Sequence, residues 1–108
     1  SGIAARRGAP GSLVYSTAKA GLARLTQTLA LEWAPYGINV NSIAPGSFPD
    51  QVVGDLSQVA QSKERAKTEI PLGRVGEVRE AGLLALYLAS DASSYMTGQT
   101  VYLDGGLT

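Results

Sequence analysis

Tyr15 and Lys19 are the side chains of this sequence whose types and spacing best suit proton chemistry. They are four residues apart, and residues at that spacing in a helix lie on the same face. A tyrosine phenol has a pKa of about 10 and carries protons poorly at neutral pH. A neighbouring ammonium group favours the phenolate and lowers that pKa, so Lys19 can make Tyr15 usable as a general acid and base. The same spacing is also typical of a partly solvated helix start, since lysine is a common residue.

A helix must present this pair, and the sequence predicts one from about Leu13 to Ala34. Pro35 and Gly37 follow as termination signals, and the Gly-, Ala- and Pro-rich residues 1–12 predict a loop. Apolar residues recur at spacings of three and four along this helix: Ala18, Leu22, Leu25, Leu29 and Trp33. We interpret this stripe as core or subunit interface rather than as a ligand site.

The later elements are a predicted strand at 38–44, a turn at 71–76, a second amphipathic helix at 77–89 and a short strand at 100–103. Between these, residues 47–70 carry a weak apolar pattern. Asp50 is a possible cap for a short helix, but the polar run 58–69 offers few apolar anchors. This weak anchoring favours a mobile lid over that stretch.

The order of helices and strands predicts an α/β fold with a parallel sheet. Two strands are too few to build a parallel sheet that is buried on both faces. We therefore expect residues 1–108 to form part of a single domain, one half of a doubly wound domain.

Composition excludes several classes of function. The sequence has no cysteine and no histidine, which removes thiol nucleophiles, imidazole-based triads and the common zinc sites, so no metal site is expected. Nine Lys and Arg balance nine Asp and Glu, which argues against nucleic acid and against a polybasic membrane surface. The longest apolar run, 83–89, is far shorter than the about 20 residues of a membrane span. We expect a cytoplasmic protein with neither kind of partner.

Several segments resemble those of the short-chain dehydrogenase/reductase family, in the right order and over essentially the whole chain. Residues 15–21 (YSTAKAG) contain the Tyr-x-x-x-Lys signature and resemble the active-site helix of that family. Residues 36–46 (YGINVNSIAPG) are similar to its strand that ends in Pro-Gly. Similarity to its later segments extends over 71–74 (PLGR), 88–95 (LASDASSY), 97–101 (TGQTV) and 104–106 (DGG).

The resemblance implies an oxidoreductase that moves hydride between NAD or NADP and a small alcohol or carbonyl substrate. By this resemblance, Tyr15 exchanges a proton with the substrate oxygen, while Lys19 lowers the pKa of Tyr15 and binds the nicotinamide ribose. Pro45, Gly46 and Ser47 would lie beside the nicotinamide, where a turn lets the backbone approach closely. The resemblance also implies a homo-oligomer, a dimer or tetramer, in which the first helix packs against its copy.

Two positions depart from the family pattern. The serine that holds the substrate oxygen usually lies thirteen residues before the tyrosine, where this sequence has Gly2. We favour Ser1, because loops absorb single insertions at little energetic cost, over the alternative that Ser1 only ends a preceding strand. Asp50 stands where the family often has a threonine that contacts the cofactor carboxamide. Either Ser47 replaces that contact or the contact is absent.

The glycine-rich phosphate loop of the family has no counterpart in this sequence. None of its thirteen glycines forms G-x-G-x-x-G or G-x-x-x-G-x-G, so no phosphate cradle at a helix N-terminus is predicted. The resemblance therefore implies that residues 1–108 are the C-terminal half of a doubly wound, Rossmann-like domain, with that cradle in an N-terminal half absent from these 108 residues. The isolated chain should bind dinucleotide poorly. The alternative is an inactive truncated fragment that acts only as a helix-mediated assembly or binding module.

Overall fold

The computed structural model describes residues 13–48 and 56–108, apart from the side chain of Tyr15. The predicted loop at 1–12, with Ser1, and the position of Asp50 lie outside these ranges. Five elements follow one another: α1 (Leu13–Trp33), β1 (Ser42–Pro45), α2 (Leu56–Glu69), α3 (Val78–Ala89) and β2 (Thr100–Leu103). Short 3-10 turns follow α1 and α3.

Helix α1 confirms the predicted first helix and ends for the expected reason. Pro35 lacks a backbone N–H and cannot continue an α-helix, so the chain tightens into the 3-10 turn Ala34–Tyr36. Gly37 then adopts a left-handed conformation with φ +74°, and its N–H donates to the carbonyl oxygen of Ala34 at 3.0 Å.

Strands β1 and β2 pair in parallel, which confirms the predicted α/β arrangement. Ser42 lies opposite Thr100, so the ladder begins four residues later than the predicted strand start at Ile38. The residues before Ser42 bond to the segment 97–99 through both backbone and side-chain groups, and the Gly98 N–H donates to the Val40 carbonyl oxygen at 2.7 Å. The Val40 N–H donates to the Thr97 hydroxyl at 3.0 Å, and the Asn41 side-chain oxygen accepts the N–H of Gln99 at 3.1 Å. These bonds satisfy the backbone without a ladder.

Helix α2 is the element that the apolar pattern missed. Its sequence is rich in Gln, Lys, Glu, Arg and Ala, which favour helix without needing a wide apolar face. Ala66, the one buried residue of α2, and Ile70, which follows the helix, anchor it to the rest of the chain. Lys63, Glu64 and Arg65 are exposed, as predicted, and Glu64 pairs with Lys67 at 2.9 Å. Leu56–Glu69 is thus a helix with a single buried residue, and the mobile lid over 47–70 stays a prediction.

Helix α3 begins where the sequence predicts, because two glutamates cap its first turn. The Glu77 side chain accepts the backbone N–H of Glu80, and the Glu80 carboxylate accepts the N–H of Glu77 at 3.0 Å. None of the helices within the described ranges is long and apolar enough to cross a bilayer.

The core within the described ranges is small and is made mainly of small side chains. Ala30, Ala44, Ala66 and Ile70 are its buried apolar residues. The predicted stripe on α1 is not buried inside the chain: Leu22 is 40% exposed, Leu25 50% and Trp33 40%. The predicted interpretation of this stripe, core or subunit interface, therefore requires a surface beyond the described residues.

Candidate active site

Strands β1 and β2 end side by side, because parallel strands bring their carboxyl ends to the same edge of a sheet. Pro45 lies opposite Leu103, so Gly46 and Ser47 leave β1 next to Asp104. Ligands of open α/β sheets bind outside the carboxyl ends of the strands. The three residues predicted to contact the cofactor, Pro45, Gly46 and Ser47, thus stand at the edge where a ligand is expected.

Gly46 is packed too tightly against Asp104 to carry a side chain. Its N–H donates to the carbonyl oxygen of Leu103 at 2.9 Å. A Cβ on Gly46 would lie 2.7 Å from the Cβ and 2.8 Å from the Cα of Asp104, closer than real Cβ contacts. Pro45 and Ser47 are exposed on either side. Asp104 therefore fixes the backbone at Gly46, while the exposed residues on either side remain accessible to a ligand.

The segment 70–76 forms the third wall of this edge. Three backbone hydrogen bonds join the end of β1, the segment 70–76 and the end of β2 in a closed ring, with a small cavity between them. The bonds run from Gly46 N–H to Leu103 at 2.9 Å, from Gly76 N–H to Ser47 at 2.9 Å and from Leu72 N–H to Gly105 at 3.1 Å. The Phe48 ring lies over Gly76, where a side chain would collide with it. We call residues 46–48, 70–76 and 103–106 the edge ring.

A bidentate ion pair ties the edge ring to the start of α3. The Arg74 guanidinium donates to the two carboxylate oxygens of Glu80 at 2.7 and 3.2 Å. This hydrogen bonding, helped by the N–H of Glu77, lowers the pKa of Glu80 from 4.5 to about 2. Glu80 in turn raises the pKa of Arg74. Both side chains are therefore charged at neutral pH, and their charges largely cancel.

The carboxylate of Asp104 organises the residues that follow β2. One oxygen accepts the N–H of Gly106 at 3.0 Å, and the other accepts the N–H of Thr108 at 3.1 Å and its hydroxyl. The Thr108 hydroxyl lowers the pKa of Asp104, and the N–H groups of Gly106 and Thr108 add to this effect while burial opposes it. Asp104 is thus an anion that holds residues 105–108 in a turn.

The remaining predicted site residues lie on α1 or before it. Positions 15 and 19 are one turn apart near the start of α1, as the sequence predicts, and Lys19 is half-buried. Ser1 and the side chain of Tyr15 lie outside the described residues. The convergence of Tyr15, Lys19 and Ser1 on one substrate therefore stays a prediction.

Asp104 and the Arg74–Glu80 pair were not predicted as parts of the site. Each belongs to a segment with a recognisable pattern, Asp-Gly-Gly after a short strand and Glu-x-x-Glu at a helix start. Neither pattern indicates which distant residue the carboxylate will approach. Only the parallel register brings Asp104 against Gly46.

The two parallel strands are joined through helices, and the candidate site lies outside the strand ends. This arrangement defines a part of a Rossmann-like α/β domain. A family model described as enoyl-(acyl carrier protein) reductase matches residues 1–108. The chain belongs to the short-chain dehydrogenase/reductase family, a family of oxidoreductases.

Curated relatives and solved structures agree with this membership. The chain is 46% identical over 96 residues to 3beta-hydroxysteroid dehydrogenase 1 of Eggerthella lenta. This match covers 87% of the chain and 36% of the relative. It is 44% identical over 100 residues to the 3-oxoacyl-[acyl-carrier-protein] reductase FabG of Thermotoga maritima, covering 93% of this chain and 40% of the relative.

The fold is similar to that of the Pseudomonas aeruginosa RhlG/NADP active-site complex, with a TM-score of 0.85 and 36% identity. That match covers 98% of this chain and 43% of the solved chain. The 108 residues thus span about two fifths of the length of the proteins they match.

Proposed function

We propose that the protein carrying this chain interconverts a secondary alcohol and a ketone by hydride transfer with NAD or NADP. The observation that carries the proposal is the pair Tyr15 and Lys19, one turn apart on α1 in a member of this oxidoreductase family. The names of the two curated relatives, a hydroxysteroid dehydrogenase and a 3-oxoacyl reductase, support an alcohol/carbonyl pair as substrate.

Tyr15 is the proposed proton carrier. When bound, the nicotinamide supplies hydride to the carbonyl carbon in reduction and accepts it in oxidation. The Tyr15 phenol gives its proton to the carbonyl oxygen in reduction and takes the hydroxyl proton in oxidation, so charge does not build up on the substrate. The Lys19 ammonium stabilises the Tyr15 phenolate and binds the nicotinamide ribose. Ser1 is the proposed residue that holds the substrate oxygen.

Pro45, Gly46 and Ser47 are the proposed contacts of the nicotinamide. The exposed residues on either side of the tightly packed Gly46 support this assignment, since they are accessible at the strand ends, where ligands of α/β sheets bind. The Ser47 hydroxyl is the proposed partner of the carboxamide. The similar fold of an NADP complex supports a nicotinamide dinucleotide as cofactor.

We further propose a cytoplasmic homo-oligomer, a dimer or tetramer, that pairs through α1. Leu13, Val14 and Leu31 support this proposal, because they are 79%, 82% and 80% exposed on that helix. Exposed apolar side chains of this size favour contact with a second surface. The same observation favours the second candidate function, an inactive assembly module. Turnover by the full-length protein decides between the two candidates.

The test is Tyr15→Phe in the full-length protein. The change removes the hydroxyl that carries the proton and keeps the aromatic ring. We expect kcat to fall by at least about 100-fold while dinucleotide binding remains, since general acid–base catalysis contributes about 10²–10⁴-fold. Turnover is measured by nicotinamide absorbance with a panel of ketones and 3-oxoacyl thioesters.

Tyr95→Phe is the matched control, because Tyr95 is fully exposed and far from α1 in sequence. It should leave kcat unchanged. A Tyr15→Phe variant with wild-type kcat would exclude Tyr15 as the proton carrier. Turnover of enoyl thioesters but not of any ketone would instead favour reduction of a carbon–carbon double bond, the activity in the description of the family model.

A further inference from the structure

Asp104 stands at the junction between the candidate cofactor surface and the turn 105–108. Its Cα and Cβ lie where any side chain on Gly46 would have to go. Its carboxylate accepts hydrogen bonds from Gly106 and Thr108, so the same residue contacts the end of β1 and holds the segment that follows β2.

We propose that Asp104 is a positioning residue for the cofactor: its carboxylate locks the turn 105–108, and this turn keeps the backbone of Pro45–Ser47 in place. The inference rests on the proposed function, in which Pro45–Ser47 contact the nicotinamide. Asp104 itself touches the backbone of the site and acts through Gly46.

Two routes connect the end of β2 and the turn 105–108 to the cofactor surface. The first is direct, because Asp104 packs against Gly46 while the preceding residue, Leu103, accepts the Gly46 N–H at 2.9 Å. A backbone held in this way cannot move without displacing β2.

The second route runs through the segment 70–76. The carbonyl oxygen of Gly105 accepts the Leu72 N–H at 3.1 Å, and the Pro71 ring lies within 3.2 Å of where a Cβ on Gly106 would stand. At the other end of this segment, the Gly76 N–H donates to Ser47 at 2.9 Å. Loosening the turn 105–108 therefore loosens the segment 70–76, and with it the Ser47 side of the cofactor surface.

The carboxylate of Asp104 acts in this network through hydrogen bonds to N–H and O–H groups. The cation of the edge ring, Arg74, forms its ion pair with Glu80. Three donors converge on Asp104, which is more than a turn needs to close. The position of residues 105–108 therefore depends on the Asp104 carboxylate.

The experiment compares Asp104→Ala with Asp104→Asn in the full-length protein. Alanine removes both acceptor oxygens, whereas asparagine keeps the shape and one acceptor. We expect the KM for the dinucleotide to rise about tenfold in Asp104→Ala and about threefold in Asp104→Asn. A 1 Å displacement of reacting groups can reduce a rate by roughly 10²-fold, and we expect smaller effects here because Asp104 acts through the backbone. In both variants kcat should stay within about threefold of wild type, because Tyr15 and Lys19 are untouched.

Asp91→Ala is the matched control, since it removes an exposed carboxylate from the 3-10 turn after α3. It should leave the KM for the dinucleotide unchanged. Amide hydrogen exchange gives a readout independent of activity. The amides of Gly46, Leu72 and Gly76 should exchange faster in Asp104→Ala than in wild type, while those of α3 should not.

The possible results separate the inference about Asp104 from the proposed function of the protein. A lower melting temperature with an unchanged KM for the dinucleotide would mean that Asp104 only stabilises the fold. That result would overturn the inference about Asp104 and leave the proposed function standing. If Asp104→Ala does not fold, Asp104→Asn carries the test with its threefold effect. A wild-type protein that binds no dinucleotide would overturn the proposed function, and the inference with it.

Discussion

Gly46 shows how a single residue connects the sequence to the candidate site. The dipeptide Pro45-Gly46 predicts the end of a strand from local conformational preference alone. The structure adds a stronger requirement, since Asp104 occupies the space of a side chain at position 46. The local signal and the tertiary contact agree at this residue, which is typical of positions that define a fold.

Gly46→Ala is expected to destabilise the protein. The new Cβ would meet backbone and Cβ atoms of Asp104, which cannot move aside as the tip of a flexible side chain can. We expect the free energy of unfolding to fall by about 1–3 kcal/mol, the usual cost of overpacking. Urea denaturation followed by circular dichroism measures the change.

The control for this substitution is Gly82→Ala. Gly82 lies inside α3 with no atom near the position of a new Cβ. There the change should stabilise the helix by about 0.5–1 kcal/mol. Equal effects at the two positions would show that the contact with Asp104 is unimportant for stability.

At the scale of elements, α2 and α3 illustrate two sources of helix formation. Helix α3 has both an apolar pattern and a capping box, so sequence predicts its position closely. Helix α2 has one buried residue and is held by the intrinsic preference of its polar residues. Hydrophobic periodicity therefore detects α3 and misses α2.

Glu80→Gln tests the capping box and its ion pair with Arg74. The pKa of Glu80 is lowered from 4.5 to about 2 by hydrogen bonds from Arg74 and Glu77, so the folded state favours the carboxylate. This group stabilises the fold above its unfolded pKa, and the stabilisation is lost as pH falls from about 4.5 towards about 2. We expect Glu80→Gln to lower the urea midpoint at neutral pH and to match wild type at the acid end.

Glu69→Gln, at the exposed end of α2, controls for the loss of one negative charge. It should leave the urea midpoint almost unchanged at neutral pH, because exposed charges contribute little to stability. A Glu80→Gln variant whose deficit is the same at every pH would contradict the assigned role of the Glu80 carboxylate.

At the scale of the whole molecule, the exposed apolar side chains outnumber the buried ones in the described ranges. On α3, Val78 and Leu86 are 63% and 66% exposed. The chain spans 36% and 40% of the length of its two curated relatives. These observations support the proposal that the 108 residues are the C-terminal half of a larger domain whose other half carries the phosphate cradle.

This proposal predicts a difference in dinucleotide affinity. The 108-residue chain on its own should bind NADH or NADPH at least about 100-fold more weakly than the full-length protein, because a helix N-terminus and its glycine-rich loop supply the phosphate contacts. Titration of nucleotide fluorescence measures both constants. The denatured mass of each sample identifies which polypeptide is present. Equal affinity would contradict the division of the site between two halves.

The sequence by itself predicted the parallel α/β class, helices α1 and α3, strand β2 and the spacing of Tyr15 and Lys19 on one helix. These features depend on local preference and on periodicity, which a linear sequence records directly. The late start of β1 and the existence of α2 escaped it, since side-chain hydrogen bonds and a helix preference without an apolar face leave no periodic pattern.

Only the tertiary structure decided that Asp104 lies against Gly46 and that three backbone hydrogen bonds close the edge ring. The residues of that ring come from three segments that are distant in sequence. Their meeting follows from the parallel register and from the paths of the connecting segments, which are set by the packing of the chain as a whole.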